Sequence, residues 1–173
     1  MDTDQPDHEA YGRVTNPERY LAVVHAAQDK VDDLVKSYQV EPEAGSPSVD
    51  FPEWTSGAER VVRLQPKGGA PLALMFTDFP GVVVRVGDWG AKAFPACGCD
   101  ACDESPSEVV ERLNDFVNAA VEGSYEEQLT KRTLTYRYAS RRGVLSGKRM
   151  LDRGEWKRHG LPAAHQWPPW STR

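Results

Sequence analysis

Three strand-like runs, residues 60–65, 71–77 and 82–87, are joined by short turn segments, Pro66-Lys67-Gly68-Gly69 and Asp78-Phe79-Pro80-Gly81. Connections this short cannot carry the chain across a sheet, so neighbouring runs must pair antiparallel. In the second connection Pro80 presets φ at the first central turn position. Gly81 is expected to supply positive φ at the next, the type II pattern. A β-meander is the element of this chain that its sequence constrains most.

Helical signals flank the meander. Thr15-Asn16-Pro17-Glu18 offers a capping box with Thr15 as N-cap, or a register with Asn16 as cap and Pro17 at the first helical position. Leu21, Val24, Ala27, Val31, Leu34 and Tyr38 follow at spacings of three and four, which predicts a helix over about residues 16–38. A second helix begins at Ser105-Pro106-Ser107-Glu108, buries Val109, Leu113, Phe116, Val117 and Ala120, and ends at Gly123 as C′ residue. Residues 133–138 alternate like a strand, and residues 41–57 read as a loop pinned by Phe51 and Trp54. The order α-β-β-β-α-β predicts a two-layer α+β fold. Its antiparallel sheet, the meander plus at least one later strand, is packed by two helices and followed by a Trp/Pro-rich C-terminal tail.

The 173 residues suit one domain. The expected division is a disordered N-terminus over 1–10, a single α+β domain over 11–140, and a basic segment over 141–173 docked on it. No apolar stretch approaches 18 residues, which excludes a membrane-spanning helix, and the acidic start excludes a secretory signal. The net charge of -5 is unevenly spread: residues 131–173 hold eleven Lys and Arg against Asp152 and Glu155, while the first 130 hold ten against 24 acids. Such polarity suits either an anionic partner or a basic tail folded onto an acidic body.

Cys97, Cys99 and Cys102 are the only cysteines, and all fall within six residues. A loop that small makes a disulfide of little use, so a reducing cytoplasm is the expected setting. Cys-x-Cys and Cys-x-x-Cys spacings instead let several thiolates reach one small cation, zinc above all. Structural zinc takes four ligands, and Asp100, Asp103, His159 and His165 are candidates for the fourth. A tail histidine would clamp the C-terminal segment, and the expected set is Cys97, Cys99, Cys102 and His165. A catalytic thiol fits less well, because Asp100, Asp103 and Glu104 would raise a thiol pKa. Asp78, Asp88 and the acids of the cysteine run match no calcium loop and serve as turn and helix-start residues.

Trp156, Trp167 and Trp170 give the C-terminal segment an apolar area suited to docking on its own body, with a partner anchor as the alternative. Arg137, Arg141, Arg142, Lys148, Arg149, Arg153, Lys157 and Arg158 could follow a phosphate backbone, but no nucleic-acid motif accompanies them.

The segments Tyr11-Gly12-Arg13-Val14-Thr15-Asn16-Pro17-Glu18-Arg19-Tyr20, Phe76-Thr77-Asp78-Phe79-Pro80-Gly81 and Cys97-Gly98-Cys99-Asp100-Ala101-Cys102-Asp103-Glu104 resemble an uncharacterised bacterial family of high-GC Gram-positive genomes. The resemblance implies a bacterial cytoplasmic setting and one domain. It brings no established activity and no catalytic or binding residues.

The residues favour a non-enzymatic cytoplasmic domain, stabilised by thiolate-bound zinc, that binds another protein. The alternative is a small metal- or thiol-dependent enzyme using the cysteine cluster. A weaker one is an anion or nucleic-acid binder working through the basic C-terminal third. Nucleic acid is the less favoured partner, and no membrane association is expected.

Overall fold

The computed structural model describes residues 8–54, 56–159 and 162–173. It is an α+β structure with two antiparallel sheets. The first is a continuous meander of five strands in chain order: β1 (Pro42–Ala44), β2 (Ala58–Leu64), β3 (Leu72–Thr77), β4 (Gly81–Val86) and β5 (Gly90–Phe94). The second has the order β8-β7-β6-β9, from β6 (Glu126–Thr130), β7 (Thr133–Ser140), β8 (Gly143–Met150) and β9 (Ala163–Gln166). The strand expected over 133–138 is therefore the core of a separate sheet. It pairs with its hairpin neighbours β6 and β8, because the long helix after β5 carries the chain away from the meander.

Two long helices, α1 (Leu21–Ser37) and α3 (Pro106–Val121), cover one face of the first sheet, and two short ones, α2 (Pro47–Asp50) and α4 (Arg153–His159), lie elsewhere. Leu72, Leu74 and Phe76 of β3 and Val82, Val84 and Val86 of β4 share the principal core with Val23, Ala27, Val31, Leu113, Phe116 and Val117 of the helices. The period-two alternation sends Val61, Ala73, Met75 and Val83 to the opposite face, where Phe51 covers them. Trp54, the second expected pin, is exposed.

Local expectations fail at two turns and at the start of α3, where the N-cap Ser105 makes no side-chain cap bond. The buried stripe of α1 runs through Val23, Ala27, Val31 and Leu34 and is preceded by buried Tyr20, whereas Leu21 is 45% exposed. The helix is entered by a 3-10 turn, Pro17–Tyr20, whose N-cap Asn16 is left-handed (φ 56°) and makes no side-chain cap bond. Thr15 is diverted to another partner, so no capping box forms. At the β3–β4 turn, Gly81 is the first residue of β4 and does not take positive φ. Its lack of a side chain serves a close approach instead: a Cβ there would stand 2.8 Å from the Phe94 carbonyl oxygen.

Residues 1–7 of the expected disordered N-terminus lie outside the described residues, and His8–Tyr11 form a 3-10 turn. At the other end, Trp170 is buried in the principal core, with its indole N–H donating to the Ala70 carbonyl at 3.0 Å. Its backbone N–H caps α3 through the Val121 carbonyl at 2.8 Å. Gly123, left-handed at φ 70° as a C′ residue should be, also lets this tail pass, since a Cβ would meet the Pro169 nitrogen at 2.6 Å. Four basic residues of the C-terminal third find acids upstream: Arg141 pairs with Asp115, Arg142 with Glu111, Arg137 with Glu126 and Arg173 with Glu41, whereas Arg149 pairs with Glu155 within the segment.

Candidate metal centre

The cysteines lie on the loop that joins β5 to α3. Cys97 is half-buried, Cys99 buried and Cys102 exposed, and their three sulfurs lie within 4.8 Å of one another. The Cys97 and Cys99 sulfurs are 3.1 Å apart. Tetrahedral zinc–thiolate bonds of about 2.3 Å separate two sulfurs by roughly 3.8 Å, so small side-chain adjustments would admit the ion. Gly98 makes the tight Cys-x-Cys turn possible, because it lies against the Phe79 ring where a Cβ would stand 2.2 Å from the ring edge.

The loop is held by the N-terminal segment. Asp100 N–H donates to the Arg13 carbonyl at 2.9 Å and Ala101 N–H to the Ala10 carbonyl at 3.3 Å. The Asp100 carboxylate accepts from Arg13 Nε (2.9 Å), Thr15 N–H (2.7 Å) and the Thr15 hydroxyl (3.0 Å). Arg19 pairs with Asp103, and the Tyr20 hydroxyl donates to the Glu104 carbonyl at 2.9 Å. Glu104 turns its carboxylate inward, accepting Cys97 N–H at 2.6 Å on one oxygen and pairing with Arg112 through the other. The three segments that carry the family resemblance thus meet at one place, with Phe79 supplying the contact from the β3–β4 turn.

This arrangement revises the electrostatics expected from the sequence. Hydrogen bonds from Thr15 and Arg13 hold the Asp100 carboxyl below its usual range, and Asp103 and Glu104 have cationic partners. The acids are therefore scaffolding, engaged by other partners, and Asp100 and Asp103 are not drawn in with the three sulfurs. The thiols perturb one another instead. A hydrogen bond from Cys97, helped by nearby backbone N–H groups, lowers the Cys99 pKa. The neighbouring sulfurs Cys97 and Cys99 push Cys102 up to about 12. One proton leaves readily and the last resists, as expected of three like sites sharing one small volume. A dication would supply the charge that makes three thiolates compatible.

His165 is not brought to the sulfurs. Among the described residues it joins Asp88 and Glu127, whose ligand atoms also lie within 4.8 Å of one another. Its Nδ1 is 2.5 Å from an Asp88 carboxylate oxygen, and its ring stacks on Trp89 at 4.7 Å. The side chain of His159, the other tail candidate, lies outside the described residues. Glu127, buried in β6, was not foreseen. Its carboxylate accepts backbone N–H groups of Asp88 (2.7 Å), Trp89 (3.3 Å) and Gly90 (3.1 Å) and the Tyr125 hydroxyl (3.1 Å). Four donors fill its acceptor sites, so it ties the β4–β5 turn to the second sheet. Burial pushes this carboxyl up to about 7 against the pull of those hydrogen bonds. The one sequence signal for it is the alternation Tyr125, Glu127, Leu129, with an acid at the middle inward position.

The fold and site define an α+β protein whose three-thiol loop is clamped by its own N-terminal segment. The chain belongs to a family of unknown function, DUF6226, whose family model matches residues 1–173. No curated protein and no solved structure matches it. Among the described residues, no helix is long and apolar enough to cross a membrane.

Proposed function

We propose that Cys97, Cys99 and Cys102 hold one zinc ion whose role is structural, in a bacterial protein of the reducing cytoplasm that acts by binding another protein. The convergence of three sulfurs within 4.8 Å carries the metal half of this reading. Its position supports a structural role. The loop is the junction where residues 10–20, the β3–β4 turn and the start of α3 meet, and a metal would lock all three. The fourth position falls to solvent or to a group outside the described residues. For the partner, support comes from β8, which forms an edge of the second sheet and exposes Val144, Leu145 and Met150.

Exposed Cys102 favours a second reading, a small metal- or thiol-dependent enzyme, because catalytic zinc keeps one open position. Native mass spectrometry of anaerobically purified protein tests the metal premise. One zinc per chain, lost in Cys99→Ser, is the expected result, and an apo mass alone would overturn the structural-zinc reading together with the metal-dependent form of the enzyme. Slow exchange of the bound zinc with a chelator would then favour the structural role, and a rapidly alkylated, metal-bound Cys102 the enzymatic one.

A further inference from the structure

A cavity of 480 Å³ opens between β5, α3 and the β7–β8 hairpin, and no cysteine lines it. Phe94, Ala96 and Leu145 give it an apolar lining, and Lys92 reaches it from β5. The Lys92 ammonium donates to the Tyr138 hydroxyl at 3.0 Å. It also stands over the rings of Phe116, Tyr136 and Tyr138 at 5.3, 5.1 and 4.9 Å from their centroids. Ring faces stabilise a cation but do not neutralise it.

Every other charge at this cavity has a counter-charge. Asp115 pairs with Arg141, Glu111 with Arg142, and Arg112 with Glu104. Among the described residues, no carboxylate forms an ion pair with Lys92. The consequence shows in its titration: burial, and then the nearby Arg112 charge, lower the Lys92 pKa, and no acid opposes them. A desolvated cation without an anion is unfavourable unless something supplies one. Burial lowers the Lys30 pKa as well, but there the charges of Asp33 and Glu122 oppose it, and Asn118 accepts from the ammonium at 2.6 Å.

We propose that this cavity binds a small monocarboxylate with a compact apolar body. The carboxylate sits against the Lys92 ammonium and accepts the Tyr138 hydroxyl proton, which is free because that oxygen is itself the acceptor from Lys92. The body lies over Phe94, Ala96 and Leu145. Most of the area is apolar and one charged group fixes orientation, the usual division of labour in small-molecule sites.

Benzoate is the probe, and backbone amide shifts of the isotopically labelled full chain are the readout. Saturable shifts at residues 92–96 and 138 are expected, with a Kd of about 1 mM for so small a ligand. Benzamide, of the same shape but uncharged, should bind at least about tenfold more weakly, and Lys92→Met should cost a similar factor while Lys30→Met changes nothing. Equal binding of benzamide and benzoate to the unaltered chain would overturn the proposal. So would unchanged benzoate binding in Lys92→Met, or no saturable shift at about ten times the expected Kd. The benzamide comparison decides the matter even if the Lys92 variant does not fold.

Discussion

Thr15 gives both its backbone N–H and its hydroxyl to a single oxygen of Asp100, at 2.7 and 3.0 Å, across 85 residues of sequence. That hydroxyl was expected to cap its own helix. Its use on the cysteine loop makes the N-terminal segment part of the candidate metal centre, because Asp100 sits between Cys99 and Cys102. The same residue fixes the loop backbone through its N–H to Arg13.

Asp100→Ala should therefore loosen both ends of this contact without touching a sulfur. Amide hydrogens of residues 10–20 are expected to exchange about tenfold faster, and zinc to leave faster on chelation. Unchanged protection of the N-terminal segment would show that the clamp contributes nothing.

Removal of the proposed zinc would have its own signature. Three thiols must lose their protons to bind the ion, and Cys102 holds its proton up to about 12. Metal affinity is therefore expected to fall steeply as pH drops from about 8 to 6. In the metal-free reduced protein, thiolate absorbance should rise in separated steps, an early one from Cys99 and a late one from Cys102. A chelator should lower Tm by about 5 °C or more. A single thiolate step with three equal sites would contradict the geometry.

How much of this was legible follows from how far apart the interacting residues lie. Helices α1 and α3 and strands β2 to β4 announce themselves through period and punctuation, which are local. Strand β5, Gly90-Ala91-Lys92-Ala93-Phe94, is too short and too small in side chain to read as a strand, and it exists because β4 pairs with it. Strand β8 carries little burial signal, being an exposed edge, and β9 is defined only by its register against β6. The convergence of the cysteines followed from spacing alone. The fates of Asp100 and Asp103 did not, since their partners Arg13, Thr15 and Arg19 arrive from more than 80 residues away. His165 was assigned to the sulfurs on chemistry, but β9 pairing places it opposite Glu127 and against Trp89.

Glu127 predicts a pH dependence. Its folded pKa of about 7 lies above the ordinary value of 4.5, so the folded chain holds a proton that the unfolded chain has released. Stability from this group is present below about pH 4.5 and is lost as pH rises through 7. The shift corresponds to at most about 3 kcal/mol. Urea unfolding of the wild type and of Glu127→Gln from pH 5 to 8 measures it. The difference between the two should shrink with rising pH, and a constant or growing difference would mean that the four hydrogen-bond donors outweigh burial.

Trp170 predicts how firmly the C-terminal segment belongs to the fold. Its ring is 4% exposed and meets Tyr38 edge-on at 6.0 Å, and its indole lies where a side chain at Gly69 would be, 2.4 Å from a Cβ there. Around it the backbone is stitched to distant elements: Gln39 N–H to the Ser171 carbonyl at 2.8 Å, and Arg173 N–H to the Ser37 carbonyl at 3.0 Å. Replacing a buried Trp by Ala removes its transfer free energy and leaves a cavity, about 3–5 kcal/mol together. For a chain of this size that is a fall in Tm on the order of 10 °C. Trp170→Phe keeps most of the area and loses the bond to Ala70, so its cost should be roughly a third as large. Trp167, stacked at 6.2 Å on Tyr125 but only half-buried, should cost less than Trp170 when replaced by Ala. If Trp170→Ala melts with the wild type, the segment is held by its ion pairs and not by its tryptophan. In that case raising the salt concentration should detach it, and lysine-directed proteolysis would then remove the chain after Lys157.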